Sequence, residues 1–209
     1  MNKIVIIGSP GAGKSTLARK LGSILKIKVV HLDRIFWQRG WKEKPRDTRI
    51  DILQDLVREK RWIIEGTYLG SSECRLNAAD TIIFLDIAPS LCLWRIINRH
   101  LEYHGRSRRD IPEGCKDKLT LVRMWKVLVF PLRERKMLIQ NLSNYKSKQI
   151  IWLRSSKEVE DFLALQKQDT AHTRISSIIV SVAKERLLEG NLAITSVYQP
   201  RNPHMQGRR

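Results

Sequence analysis

The sequence predicts an α/β domain with a parallel sheet and helices on both of its faces. Two features carry this. Short apolar runs alternate along the chain with stretches whose apolar residues recur at helical spacing, the pattern of strand–helix–strand crossovers. The first such run, "KIVIIG", leads at once into "SPGAGKST", a glycine-rich turn that ends in a lysine and two hydroxyls.

Residues 3–7 are continuously apolar, as in a strand buried on both faces. "KSTLARKLGSILK" follows, with Leu17, Leu21, Ile24 and Leu25 on one helical face. "KVVHLD" (28–33) reads as a second strand, ending in an acid. After a polar loop with Pro45, "DTRIDILQDLVREK" is helical through Ile50, Leu53, Leu56 and Val57. "RWIIEG" (61–66) and "DTIIFLD" (80–86) are the third and fourth strands. "PSLCLWRIINRHLEY" opens with Pro89, suited to a first helical turn. An arginine-rich stretch, "HGRSRRDIPEGCKD", separates it from a long helical pattern over about 118–143, bent at Pro131. "QIIWLR" (149–154) is the last strand, and "SSKEVEDFLAL" a helix capped by Ser155 or Ser156. From about 167 the pattern weakens to one amphipathic stretch, 175–189, and a polar, proline-bearing end expected to be disordered. The organisation is therefore a domain over 1–166 and a C-terminal extension over 167–209.

Composition bounds the function. With 209 residues, 42% hydrophobic and 29% charged, the chain has the balance of a soluble globular protein. No apolar run approaches the roughly 18 residues of a membrane span, and the N-terminal residues lack a secretory pattern, so a cytoplasmic protein without a membrane partner is expected. Three scattered cysteines fit reduced thiols better than disulfides or a zinc site. The net charge of +18 favours polyanionic partners and leaves nucleic acid open as one of them.

The Gly8–Thr16 stretch has the Gly-x-x-x-x-Gly-Lys-Ser spacing, with a strand before it and a helix after it, the context in which that spacing binds phosphate. Gly8, Gly11 and Gly13 let the main chain curl so that several N–H groups point inward around an anion at a helix N-terminus, with Gly8, Ser9, Pro10, Gly11, Ala12, Gly13, Lys14, Ser15 and Thr16 as the nucleotide-binding stretch. Lys14 reaches β- and γ-phosphates, Ser15 coordinates Mg²⁺, and Thr16 donates to the α-phosphate. ATP and Mg²⁺ are the expected cofactors.

"IVIIGSPGAGKSTLARKLG", "HLDRIFWQRGW", "WIIEGTY", "RLNAADTIIFLD", "LCLWRIINR" and "LRSSKEVEDFL" resemble the bacterial topology modulation protein family, of the adenylate-kinase-like P-loop NTPases, over about residues 2–165. The resemblance implies a three-layer α/β/α fold, a five-stranded parallel sheet of order 2-3-1-4-5, and a small lid over about 100–117. It implies an ATP-binding protein linked to DNA topology with the fold of small-molecule kinases. The third strand of such folds lies beside the phosphate-loop strand, which favours Glu65 over Asp86 for the metal shell, although Asp is usual there. Asp86 is then a tether for a loop or helix. Asp33 would face the acceptor, with a helix cap or an ion pair to Arg34 or Arg39 as the alternative. Arg95 and Arg99 share one helix face, and Arg106, Arg108 and Arg109 fall in the lid, where arginines neutralise a transferring phosphoryl group. Arg154 and Ser156 stand where related kinases hold adenine. Trp37, Trp41 and Trp62, with Phe36, are candidates for stacking on a base or a ring or for packing in the core or lid. His100 and His104, four apart, lack a third ligand for a metal.

The expected activity is transfer of the ATP γ-phosphate to a small-molecule or nucleotide acceptor, with Lys14, Asp33, Arg99, Arg106 and Arg109 as its catalytic groups. "EGTYLG" replaces the Asp-Gly-aromatic-Pro-Arg motif of adenylate kinases, which argues against ordinary AMP phosphorylation. The competing readings are a regulatory ATPase that binds DNA and a nucleotide-binding module without turnover.

Overall fold

The computed structural model describes residues 1–68, 70, 72–102, 115, 120–145 and 147–188, with side chains of 72, 123 and 173–188 left out. Contacts divide the chain into two units, Met1–Gln168 and Asp169–Arg209. In the second unit the described residues continue one helix as far as Leu188.

The first unit is a three-layer α/β/α domain. Its elements are β1 (Lys3–Gly8), α1 (Lys14–Leu25), β2 (Val29–His31), α2 (Leu32–Phe36), β3 (Trp37–Gln38), β4 (Lys42–Glu43), α3 (Arg46–Arg58) and β5 (Trp62–Glu65). Then come α4 (Ser72–Ala78), β6 (Thr81–Leu85), α5 (Pro89–Glu102), α6 (Leu121–Val129), α7 (Glu134–Leu142), β7 (Gln149–Leu153) and the portion of α8 (Ser156–Leu188) up to Gln168. Five parallel strands lie in the order β2-β5-β1-β6-β7, which is the expected 2-3-1-4-5 once the two-stranded β3–β4 hairpin is set apart.

The apolar runs are continuous because successive residues feed opposite faces of a sheet covered on both sides. Ile4 and Ile6 of β1, Ile63 of β5 and Ile83 and Leu85 of β6 pack with Leu17 and Leu21 of α1, Cys92 and Ile96 of α5, and Phe162 of α8. Their neighbours Val5, Ile7, Ile64, Ile82 and Phe84 pack on the other face with Leu53 of α3, Leu76 of α4 and Leu138 and Leu142 of α7.

Three boundaries differ from the sequence reading. β2 stops at His31, so Asp33 lies in the first turn of α2 instead of at a strand end. The pattern over 118–143 is two helices, α6 and α7, parted at residues 130–133, because Pro131 has no N–H to continue α6. The loop before α3 contains the β3–β4 hairpin. Most of the expected lid, with Arg106, Arg108, Arg109 and His104, lies outside the described residues, as does the chain beyond 188. Among the described residues, no helix is long and apolar enough to cross a membrane.

Candidate active site

Strand order decides where the site forms. From β1 the chain crosses one way to β2 and later, from β5, the other way to β6, so a crevice opens at the carboxyl end of β1. Gly8 ends β1 there with φ +148, and a Cβ on it would stand 2.4 Å from the carbonyl oxygen of Leu85 on β6. Gly11, at φ +80, lies against α5, where a Cβ would meet the Cys92 carbonyl oxygen at 2.4 Å. Side chains at either position would push the loop away from its supports. Gly13, also left-handed at φ 97, caps α1, and its carbonyl takes the first helical bond from Leu17 at 2.9 Å.

Lys14 folds back over the loop it follows. Its Nζ donates to the carbonyls of Gly8 and Ser9 at 3.0 and 2.9 Å. Desolvation holds the ammonium below the ordinary lysine value, opposed by the charges of Glu65 and Asp33. A desolvated cation at the start of α1 suits a polyanion that brings its own charge.

The parallel register brings the acid to the loop. Glu65 pairs with Ile6 on one side and with His31 on the other. Its Oε1 accepts from the Ser15 hydroxyl at 3.0 Å and lies 2.7 Å from His31 Nδ1. Ser15 and Glu65 thus set two hard oxygen donors side by side, a pairing that suits a small divalent cation sharing phosphate and water ligands. Among the described residues no group of three or more His, Cys, Asp or Glu forms a closed metal site.

The opposite wall is aromatic and hydrogen-bonded. Tyr68 donates its hydroxyl to Asp33 Oδ1 at 2.6 Å, and Trp37 Nε1 donates to the Tyr68 oxygen at 2.7 Å. Burial and the Asp33 carboxylate both push the phenol far above its ordinary value, so Tyr68 remains a donor. Trp37 meets Trp41 edge to face at 5.8 Å, and Phe36 meets Tyr68 likewise at 4.9 Å. Asp33 is therefore engaged through Tyr68.

Arg95 bridges the loop and α8. One guanidinium nitrogen donates to Ala12 O at 3.1 Å and the other to Ser156 Oγ at 2.8 Å. Arg99 lines the same cavity of about 1400 Å³, as do Pro10 to Thr16, Asp33 and Glu65. Arg154 points elsewhere: its guanidinium stacks on Trp152 at 5.1 Å. Asp86, also at a strand end, is occupied by both oxygens with Arg135 of α7 at 2.8 and 2.9 Å and by Trp152 Nε1 at 3.0 Å.

Sequence reasoning missed His31, Thr67 and Tyr68. Thr67 grips the start of the loop, accepting from Gly8 N at 3.2 Å and donating to Gly8 O at 2.5 Å. The one available signal was "EGTY", where a known acceptor motif was absent and a hydroxyl and a phenol stood in its place.

No protein-family model matches the chain. A protein of Pyrococcus furiosus named "Putative adenylate kinase" is 31% identical over 140 residues, covering 66% of this chain and 72% of its own. The chain belongs to this adenylate-kinase-like family of P-loop kinases. A second "Putative adenylate kinase", from Thermococcus onnurineus, is 27% identical over 170 residues, 80% of this chain and 85% of its own. A shikimate kinase of Rhodococcus erythropolis is 29% identical over 101 residues, covering 41% of this chain and 59% of its own. As an adenylate-kinase-like protein, the chain has a phosphate loop in the place that its strand order dictates.

Proposed function

We propose that this protein is an ATP-dependent phosphotransferase that moves the γ-phosphoryl group of ATP to a hydroxyl of a small-molecule or nucleotide acceptor. One observation carries the reading: the Lys14 phosphate loop, the Ser15–Glu65 pair and Asp33 line a single cavity. The loop amides and Lys14 hold the β- and γ-phosphates. Mg²⁺, held by Ser15 and by Glu65 directly or through water, would screen the phosphate charge. Asp33, oriented by Tyr68, takes the acceptor's hydroxyl proton as its oxygen bonds to phosphorus and the β–γ bridging bond breaks, releasing ADP. Arg99, with Arg106 and Arg109 of the lid, neutralises charge on the transferring oxygens, and Arg95 braces the loop toward α8. The base side falls to Ser156 and the main chain near Arg154.

The relatives named adenylate kinase put AMP among the acceptors to try, and the relative named shikimate kinase adds shikimate. A second reading, an ATPase acting on DNA topology, has the net charge of +18 and the motif resemblance behind it. One experiment addresses both. ADP release and γ-phosphate transfer are followed with nucleoside monophosphates, shikimate, other small alcohols and duplex DNA, with Lys14→Ala as the blank. Transfer to a small acceptor that Lys14→Ala abolishes, with unchanged circular dichroism, is the expected result. ADP release stimulated by DNA alone favours the second reading, and turnover that survives Lys14→Ala refutes both.

A further inference from the structure

Arg75 is on α4, outside the catalytic set, and its side chain is fully buried at 0% exposure. Among the described residues its guanidinium meets no carboxylate. One terminal nitrogen donates to Gly66 O; the other donates to Thr67 O and, at 3.5 Å, to Tyr68 O. Its Nε finds no acceptor among the described residues. Enclosing a guanidinium without an ion pair is costly, because the charge gives up its water and only dipoles replace it. Burial pulls Arg75 down to about 10, against the opposing pull of Glu65 and Tyr68, so it is a cation at neutral pH.

Three consecutive carbonyls turned toward one cation force a tight bend, and the backbone records it. Gly66 has φ +134, and Tyr68, which is not glycine, has φ +24. A tyrosine avoids the left-handed region unless its surroundings impose it. The same bend aims two side chains in different directions. Thr67 reaches Gly8, the first residue of the phosphate loop, and Tyr68 reaches Asp33 on the acceptor side.

We propose that Arg75 is a positioning residue: by gathering the carbonyls of Gly66, Thr67 and Tyr68 it sets Thr67 against the phosphate loop and Tyr68 against Asp33, keeping the two halves of the cavity in register. It touches neither nucleotide nor acceptor. A residue that merely fills space under α4 supports the fold equally but transmits nothing to Gly8.

The test compares wild type, Arg75→Lys, Thr67→Val and the double variant by two readouts. The first is hydrogen exchange at the Gly8 amide in the unliganded protein, read by NMR; this arm is independent of the kinase reading. The second is ATP affinity by calorimetry, which rests on that reading. Loss of a grip of one or two hydrogen bonds predicts ATP binding weaker by roughly fivefold to tenfold in each single variant. Because both variants break one chain of contacts, the double variant is expected to be no weaker than the worse single one. Gly8 exchange accelerates by a similar factor in both, while the Ile82 and Ile83 amides of β6 keep their wild-type rates. If Arg75→Lys does not fold, Arg75→Gln, which keeps donors without charge, takes its place. Wild-type Gly8 exchange in the Arg75 variant overturns the proposal, as does a double variant whose loss is the product of the two singles. A wild-type protein that binds no ATP refutes the kinase reading alone, and the exchange data still decide the role of Arg75.

Discussion

Asp86 and Glu65 are both acids at the ends of buried strands, yet they do different work, and their immediate partners explain why. Glu65 faces a hydroxyl of the phosphate loop, whereas Asp86 is gripped from two sides by Arg135 and Trp152. Burial raises the Asp86 carboxyl, but the Arg135 and Trp152 hydrogen bonds outweigh it and leave the group below the ordinary aspartate range. A depressed folded value means that the ion pair stabilises the protein above the unfolded aspartate pKa of about 3.9 and loses that contribution as pH falls through the folded value. Asp86→Asn is expected to cost about 1–2 kcal/mol at pH 7, a figure reduced because Arg135 is partly exposed. Urea unfolding at pH 7 and pH 3 checks it: the gap between variant and wild type narrows at pH 3 if the ion pair is its source. Sequence alone could name Lys14 and Ser15, because their spacing is local. It could not name His31, Thr67 or Tyr68, because their partners sit on neighbouring strands or across a loop, at separations that only the fold sets.

Elements were legible in proportion to their length and periodicity. Strands β1, β5, β6 and β7 and helices α1, α3 and α5 carry strong apolar patterns and keep close to the limits the sequence predicts, whereas the apolar pattern of β2 runs on through Leu32 into α2. The β3–β4 hairpin has two residues in each strand, too few for alternation to register, and Trp41 turns it with φ +63. α6 and α7 read as one bent helix because apolar spacing persists through Pro131, while the missing N–H ends the hydrogen-bond ladder. At the start of α8 the sequence offers Ser155 or Ser156 as the cap, and the structure selects Ser155. Ser155 Oγ accepts from Glu158 N at 3.1 Å, and Glu158 Oε2 accepts from Arg154 N at 2.9 Å, the reciprocal pattern of a capping box one position earlier than usual on the acidic side's donor. Ser156 is thereby left to bond Arg95. Ser155→Ala is expected to cost about 1 kcal/mol and lower the melting temperature by roughly 2–4 °C, as calorimetry can measure. An unchanged melting temperature would show that Glu158 alone secures the helix start.

At the scale of the whole molecule, charge and sheet order act together. A net charge of +18 repels itself, and the glycine loop at the sheet's carboxyl edge adds the buried Lys14 at the same cavity. A ligand that supplies negative charge there binds the folded chain and not the unfolded one, since β1, β5 and α1 must be assembled to form the site. On the proposed reading, ATP with Mg²⁺ at about one hundred times its dissociation constant is expected to add about 2.7 kcal/mol of stability. For a chain of this size that raises the melting temperature by roughly 5–10 °C. Chelating the metal is expected to reduce the shift if Ser15 and Glu65 hold a cation as proposed. Lys14→Ala is expected to remove most of it. Differential scanning fluorimetry with ATP, with ATP and chelator, and with inorganic sulfate at matched ionic strength separates a built triphosphate site from general anion screening. Sulfate producing the same shift as ATP with Mg²⁺, and Lys14→Ala preserving both, would mean that the loop recognises charge alone, and the assignment of a nucleotide site would fail.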